Sequence, residues 1–258
     1  MEEKLFFTTS DGLKLCGILS KPGNITNKCI ILCHGLSVNK DEKGRFISLT
    51  QKLIQNNFAV FRFDFRAHGE SEGIQQEMTI TGEEKDLESA INFLQTLDFQ
   101  EFGILAASFS GGCSSLFCSK NPKNVKALVL FYPLLDYEAR FDPVTERDKI
   151  YWGKPALKRI EKFGYTEVGT GKFKVGKNLI EEMRKLKPFK ELQKVKIPIL
   201  FVHGDKDVLI PLEKSVNYSK LVKAELVVVK GGGHGFHENK EASDKAENAA
   251  VNFFLKNL

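Results

Sequence analysis

The sequence predicts an α/β fold built on one mostly parallel, doubly wound sheet, and three observations carry that prediction. Eight short apolar runs rich in β-branched and aromatic residues recur between Gly, Pro and Asp. From the third run onward, segments with helical spacing separate them, which is the βαβ alternation of a sheet covered on both faces. One interval, between Phe131 and Ile199, holds more than sixty residues, too many for a simple crossover, so something is inserted there.

The elements follow in order. Strands are expected at Leu5–Thr9 and Lys14–Ser20, joined across "SDG" as an antiparallel hairpin. Six more are expected at Cys29–Cys33, Ala59–Phe63, Gly103–Ala107, Ala127–Phe131, Ile199–Val202 and Glu225–Val229. Helices are expected at Phe46–Asn56, Glu83–Leu97, Ser110–Lys120, Glu213–Val222 and Glu241–Lys256. Within the long interval, the Gly-punctuated "FGYTEVGTGKFKVG" suggests a small hairpin, flanked by helical patterns at Lys154–Phe163 and Leu179–Leu186. The expected organisation is therefore a core of residues 1–132 and 197–258 with residues 133–196 as a cap over the site.

Composition narrows the function classes. The chain has 258 residues, 42% of them hydrophobic, enough for a substantial core. Its net charge of +5 comes from 38 basic and 33 acidic residues scattered along the whole length, so nucleic-acid binding is not expected. The lysine-dense stretch from Lys172 to Lys196 reads as a solvated face. Five cysteines, Cys16, Cys29, Cys33, Cys113 and Cys118, lack CxxC pairing and read as buried free thiols. The start "MEEKLFFTTSDGLKL" has no long apolar segment, and no run of about eighteen apolar residues occurs anywhere, so a membrane span is not expected. A soluble protein of a reducing, cytoplasmic compartment is the expectation.

Sheets of this kind bind ligands at the carboxyl ends of their strands. After the fifth strand comes "AASFSGG", the strand-turn-helix context of a nucleophile elbow, where small residues two positions either side let a sharp turn expose a serine. Both Ser108 and Ser110 satisfy the size rule. The strand ends at Ala107, and Phe109, Cys113, Leu116 and Phe117 keep helical spacing from the next residue on, which favours Ser108. Ser110 then falls in the first helical turn, where its hydroxyl could cap a free N–H.

A serine hydroxyl is a poor nucleophile until an imidazole takes its proton and a carboxylate fixes the imidazole's tautomer. After the seventh strand comes "FVHGDKDVLIP" and after the eighth "GGGHGFHE", so the order along the chain is Ser, Asp, His. His34, His68 and His203 sit in packed turns. His234, presented by three glycines, is favoured over His237 as the base. Asp207, further out toward the cleft, is favoured over Asp205, the natural turn-former. Two backbone donors for an oxyanion complete the set: Leu36 N–H, in the turn "CHGLSVNK" after the third strand, and Phe109 N–H, next to the nucleophile.

With these residues in place, the sequence resembles the α/β-hydrolase family, in particular small serine esterases such as feruloyl (cinnamoyl) esterases and monoacylglycerol-lipase-like enzymes. The segments carrying the resemblance are "ILCHGLSVNK", "FAVFRFDFRAHGESEG", "FGILAASFSGG", "ILFVHGDKDVLIP" and "GGGHGFHE". The family's elbow pattern I-G-L-L-G-H-S-M-G-G lies over "FGILAASFSG", which puts the nucleophile at Ser108, with Ala106 and Ser110 in place of two glycines. "DFRAHGESEG" resembles a structural loop of the family, with Ala67 replacing a third glycine. The resemblance implies a carboxylic-ester hydrolase acting on a small-molecule ester through an acyl-enzyme, with a serine peptidase or amidase of the same fold as the alternative and a non-catalytic binding protein behind both. It implies no cofactor and no metal. Five of the six Tyr and Trp residues, Tyr132, Tyr137, Tyr151, Trp152 and Tyr165, fall within or at the edge of the insertion. Most are expected to pack the cap onto the sheet, with Tyr132, Trp152 and Tyr165 the candidates for contact with an aromatic or long acyl group.

Overall fold

A computed structural model describes residues 2–120, 122–142, 146–169, 171–237 and 239–258. Strands form where the apolar runs predict them: β1 (Glu2–Thr8), β2 (Lys14–Ser20), β3 (Lys28–Cys33), β4 (Ala59–Phe63), β5 (Glu101–Ala107) and β6 (Val125–Phe131). After a separate two-stranded hairpin, β7 (Tyr165–Val168) and β8 (Phe173–Gly176), the sheet resumes with β9 (Ile199–Gly204) and β10 (Glu225–Val229). The main sheet has eight strands in the order β1-β2-β4-β3-β5-β6-β9-β10. β2 runs antiparallel to both neighbours, β1 and β4, and the other ladders of the sheet are parallel.

Alternation within the strands divides the core into two layers. In β3, Cys29, Ile31 and Cys33 face one layer, which includes Phe61, Phe63, Leu87 and Leu116. Ile30 and Leu32 face the other, which includes Phe46, Leu53, Ala246 and Phe254. Helices α1 (Arg45–Gln55) and α9 (Lys240–Asn257) therefore cover one face, while α2 (Ile80–Gln95) and α3 (Ser110–Ser119) cover the other. Both faces are buried, which is why these strands read as continuous apolar runs rather than as alternating ones.

Differences from the sequence-based boundaries have local causes. α2 begins three residues before the expected Glu83, because the Thr79 hydroxyl caps it by accepting from Gly82 N–H at 3.0 Å. β9 runs two residues past Val202, because His203 and Gly204 continue the parallel ladder with β10. Between β6 and β9 lie α4 (Glu146–Trp152), α5 (Lys154–Phe163), the β7–β8 hairpin, α6 (Lys177–Lys185) and the short α7 (Pro188–Glu191). α4 and α7 have no counterpart in the sequence reading. α8 (Leu212–Leu221) joins β9 to β10. All five cysteines are buried free thiols, and no helix among the described residues is long and apolar enough to cross a membrane.

Candidate active site

β5 ends at Ala107, and the chain then turns so sharply that Ser108 adopts φ +54°, a left-handed conformation that L-residues seldom occupy. Three backbone hydrogen bonds hold it there. Ser108 N–H donates to Phe131 C=O at 2.9 Å, and Ser108 C=O accepts from Gly111 N–H at 3.1 Å and Leu134 N–H at 2.8 Å. Glycines make room for the turn: a Cβ on Gly112 would lie 2.0 Å from the Tyr137 hydroxyl, and one on Gly35 only 3.3 Å from Ser108 Cβ.

The structure separates the two serines of the elbow. Ser108 is half-buried at the cleft, whereas the Ser110 side chain is fully enclosed. Ser110 Oγ accepts from Ala107 N–H at 3.1 Å and lies within donating distance of Cys33 C=O (2.8 Å) and Ala107 C=O (3.0 Å). It therefore braces β5 against β3 beneath the turn. Ser110→Gly is expected to leave the reactivity of Ser108 within about twofold and to cost about 1–2 kcal/mol of stability for the lost buried hydrogen bonds. That is a melting-temperature drop of roughly 2–8 °C in a chain of this size; steady-state rates and calorimetry on the purified variant check both parts.

His234 bridges the serine to a carboxylate. Its Nε2 is 3.1 Å from Ser108 Oγ and its Nδ1 is 2.8 Å from Asp207 Oδ2. Asp207 is held from several sides: Oδ1 accepts from Leu209 N–H at 2.8 Å and Ile210 N–H at 3.0 Å, and His203 Nε2 lies 3.2 Å from Oδ2. Burial pushes the Asp207 carboxyl up, but hydrogen bonds from His203 and His234 outweigh it and hold the group well below the usual carboxylate range. His203 in turn receives the Ser215 hydroxyl on Nδ1 at 2.7 Å and faces Ile210 C=O with Nε2 at 2.9 Å, which fixes the proton on Nε2. Asp205, by contrast, is a turn-former that accepts Gly231 N–H at 2.6 Å. His237 also borders the cleft, and Arg45 Nη2 lies 3.1 Å from its Nδ1.

Leu36 and Phe109 both line the cleft with Ser108 and His234. Among the described residues neither N–H has a hydrogen-bond acceptor. The turn that carries Leu36 is fixed by two enclosed histidines. His34 Nδ1–H donates to Gly35 C=O (2.8 Å) while Nε2 accepts Phe65 N–H (3.0 Å). His68 Nδ1–H donates to Arg66 C=O (3.0 Å) while Nε2 faces Ser37 N–H at 3.3 Å. Burial lowers both, His34 to about 4 and His68 to about 3, with the His34 ring adding to the effect on His68.

That burial has a consequence for stability. In the unfolded chain these imidazoles take protons at their ordinary value of 6.5, and in the folded chain they do so only near 4 and 3. Their contribution is complete above about pH 6.5 and is lost as pH falls toward 3. Glu42 acts oppositely: burial raises its carboxyl from 4.5 to about 7, so its contribution is present below 4.5 and lost as pH rises through 7. Glu83, also enclosed and raised well above 4.5 by burial, acts with Glu42, so across the window from 4.5 to 6.5 two carboxyls oppose the two imidazoles.

Glu42 is also a member of the cleft that the sequence reading does not include. Its Oε2 accepts Gly35 N–H at 2.8 Å, beside the Leu36 donor. Of the aromatic candidates, Trp152 lines the cleft. Tyr132 lies behind the site, enclosed, with its ring centroid 4.5 Å from that of His234. Tyr165 faces a different surface recess, with Ile150 and Phe163. One group of potential metal ligands comes together among the described residues, Cys16, Asp64 and Glu70, but the Lys40 ammonium already occupies it, 2.8 Å from Asp64 and 2.9 Å from Glu70.

The arrangement can move a proton from Ser108 Oγ to His234 and place two N–H donors on a charge developing at an adjacent carbonyl oxygen. Residues 25–163 match the family described as serine aminopeptidase, S33, and residues 180–257 match one described as TAP-like protein. Serine hydrolase BPHL of Mus musculus is 24% identical over 208 residues, 76% of this chain and 69% of that protein. Among solved structures, Est1E from Butyrivibrio proteoclasticus with bound ferulic acid superposes with a TM-score of 0.82 at 22% identity, over 98% of each chain. A Pyrococcus furiosus esterase superposes with a TM-score of 0.76 at 18% identity, over 100% of this chain and 91% of the other.

Proposed function

We propose that this chain, which belongs to the serine aminopeptidase S33 family of α/β-hydrolases, is a serine hydrolase that cleaves carboxylic esters through an acyl-enzyme. The observation that carries the reading is the hydrogen-bonded series Ser108–His234–Asp207 opening on a cleft with two uncommitted backbone donors. Ser108 Oγ attacks the acyl carbon as His234 Nε2 takes its proton. The oxyanion forms against Leu36 and Phe109 N–H, and His234 returns the proton to the departing alkoxide oxygen. Water then repeats the sequence on the acyl-enzyme and frees the acid and Ser108. Asp207, accepting from His234 Nδ1–H, keeps Nε2 unprotonated for the first step and stabilises the imidazolium that follows.

Residues 133–196 form the cap in this reading, over a core of residues 1–132 and 197–258, and Trp152 and Tyr151 bring aromatic surface to the cleft from it. The bound ferulic acid of Est1E supports an aromatic acyl group as one substrate, beside short to medium aliphatic ones. The enclosed free thiols support a reducing, cytoplasmic setting.

The family's description favours a second reading, hydrolysis of an amide or peptide by the same residues on a poorer leaving group. One experiment addresses both. Purified protein is offered p-nitrophenyl acetate, p-nitrophenyl butyrate, methyl ferulate and the matching anilides, and is treated with a fluorophosphonate. Ester turnover well above anilide turnover, with one adduct on Ser108, is expected. Faster anilide turnover replaces the ester reading with the amidase one, and the absence of both turnover and adduct overturns hydrolysis by this site.

A further inference from the structure

Beside the cleft, and sharing one wall with it, is a second recess that the proposed reaction does not use. The cleft itself is small, about 160 Å³, and its lining is evenly polar and apolar. The second recess is larger, about 270 Å³, and mostly apolar, walled by Pro133, Leu135, Ile210 and Pro211 from the loops after β6 and β9. Neither alone reaches the ~300 Å³ at which small-molecule sites begin, whereas the two joined do.

The shared wall consists of Leu134, Leu209, Arg140 and Asp148. Leu134 is tied to the nucleophile, since its N–H donates to Ser108 C=O at 2.8 Å. Leu209 is tied to the acid, since its N–H donates to Asp207 Oδ1 at 2.8 Å. The two leucines give an alkyl chain an apolar path between the spaces. Arg140 and Asp148 form an ion pair at 3.0 Å, and Arg140 Nη1 also donates to Leu209 C=O at 2.8 Å.

Resting on the ester reading above, we infer that this recess is an acyl-chain subsite for an unbranched aliphatic acid of medium length. In this assignment the acyl chain, bonded through its carbonyl carbon to Ser108 Oγ in the intermediate, runs past Leu134, whose N–H is held by Ser108 C=O. The alcohol leaves on the side of His234 Nε2, where Gly235 and His237 line the cleft. The recess suits an alkyl chain better than a phenolic ring. The cleft's Phe109, Tyr151 and Trp152 do not line it, the Tyr218 ring in its wall is stacked on Phe189 with centroids 5.7 Å apart, and Asp136 and Lys214 in its wall are paired at 3.1 Å.

The test is a chain-length series of p-nitrophenyl esters from acetyl to decanoyl on the wild type and on two variants that plug the recess from its rim, Ala139→Trp and Val208→Trp. Both positions are exposed and border the second recess but not the cleft. Burying a methylene is worth about fourfold, so wild-type kcat/KM is expected to rise at least about tenfold from acetyl to octanoyl. Each tryptophan should lower the octanoyl-to-acetyl ratio by about tenfold. A ratio that is flat in the wild type, or unmoved by both variants, overturns the subsite while leaving the ester reading intact. So does a chain-length effect found with alkyl acetates instead of acyl esters, or a tenfold preference for methyl ferulate over methyl octanoate. Failure to hydrolyse any ester overturns the ester reading and the subsite together.

Discussion

Ser108→Ala is expected to lower kcat/KM for p-nitrophenyl butyrate by about four to six orders of magnitude, leaving only what the oxyanion donors and binding can do without a nucleophile. The reason is geometric. Ser108 is the hydroxyl at 3.1 Å from His234 Nε2, and the neighbouring Ser110 hydroxyl is committed to Ala107 and Cys33 beneath the turn. The fluorophosphonate adduct should vanish with the activity, while circular dichroism stays unchanged. A companion variant reads the strain at the elbow. Glycine ordinarily destabilises regular structure by about 0.5–1 kcal/mol relative to alanine. At φ +54° that order is expected to reverse, with Ser108→Gly melting above Ser108→Ala. Retained activity in Ser108→Ala, or lost activity in Ser110→Gly, would reassign the nucleophile.

How far the sequence reveals this site depends on what buries each residue. The inner strands are legible because both faces of the sheet are covered there, so β3, β5, β6 and β9 carry apolar runs. Ser108 is legible because the strand register ends at Ala107 and helical spacing begins one residue after the serine. Glu42 is not legible. In "VNKDEKG" it looks like a solvated charge, and only the left-handed turn at Glu42 and Lys43 (φ +45° and +55°) carries its carboxyl inward to Gly35 N–H. The same limit applies to Tyr132, whose φ of +37° tucks the ring behind His234 rather than into the cleft. α4, seven residues with alternating charge and no apolar stripe long enough to register, owes its helix to packing against α5 and β7. His203 reads from "FVHGDKD" as a packed turn residue; it is packed, but as a member of β9 rather than of the turn that follows. What the sequence hides is that extending β9 through His203 sets its imidazole against Asp207.

That contact shapes the second large effect. Asp207→Asn is expected to lower kcat/KM by about three to four orders of magnitude with little change in fold. The asparagine oxygen can still accept Leu209 and Ile210 N–H, so the loop keeps its shape. Its amide nitrogen then takes the place of Oδ2, where His234 Nδ1 and His203 Nε2 both point. A donor there can satisfy His234 only by giving its hydrogen to Nδ1, which moves the imidazole's proton to Nε2 and leaves nothing to accept from Ser108. It also opposes the Nε2–H of His203, whose tautomer is locked by the Ser215 hydroxyl. His203→Asn should act in the same direction but weakly, by about tenfold, because Asp207 keeps both backbone donors and His234. The pair of variants therefore separates the carboxylate's charge from its positioning. If Asp207 acted only as a loop anchor, Asp207→Asn would retain near wild-type rates and His203→Asn would match it. A gap of about a hundredfold to a thousandfold between them, measured at one pH with folding verified, assigns tautomer control to Asp207 and its placement to His203.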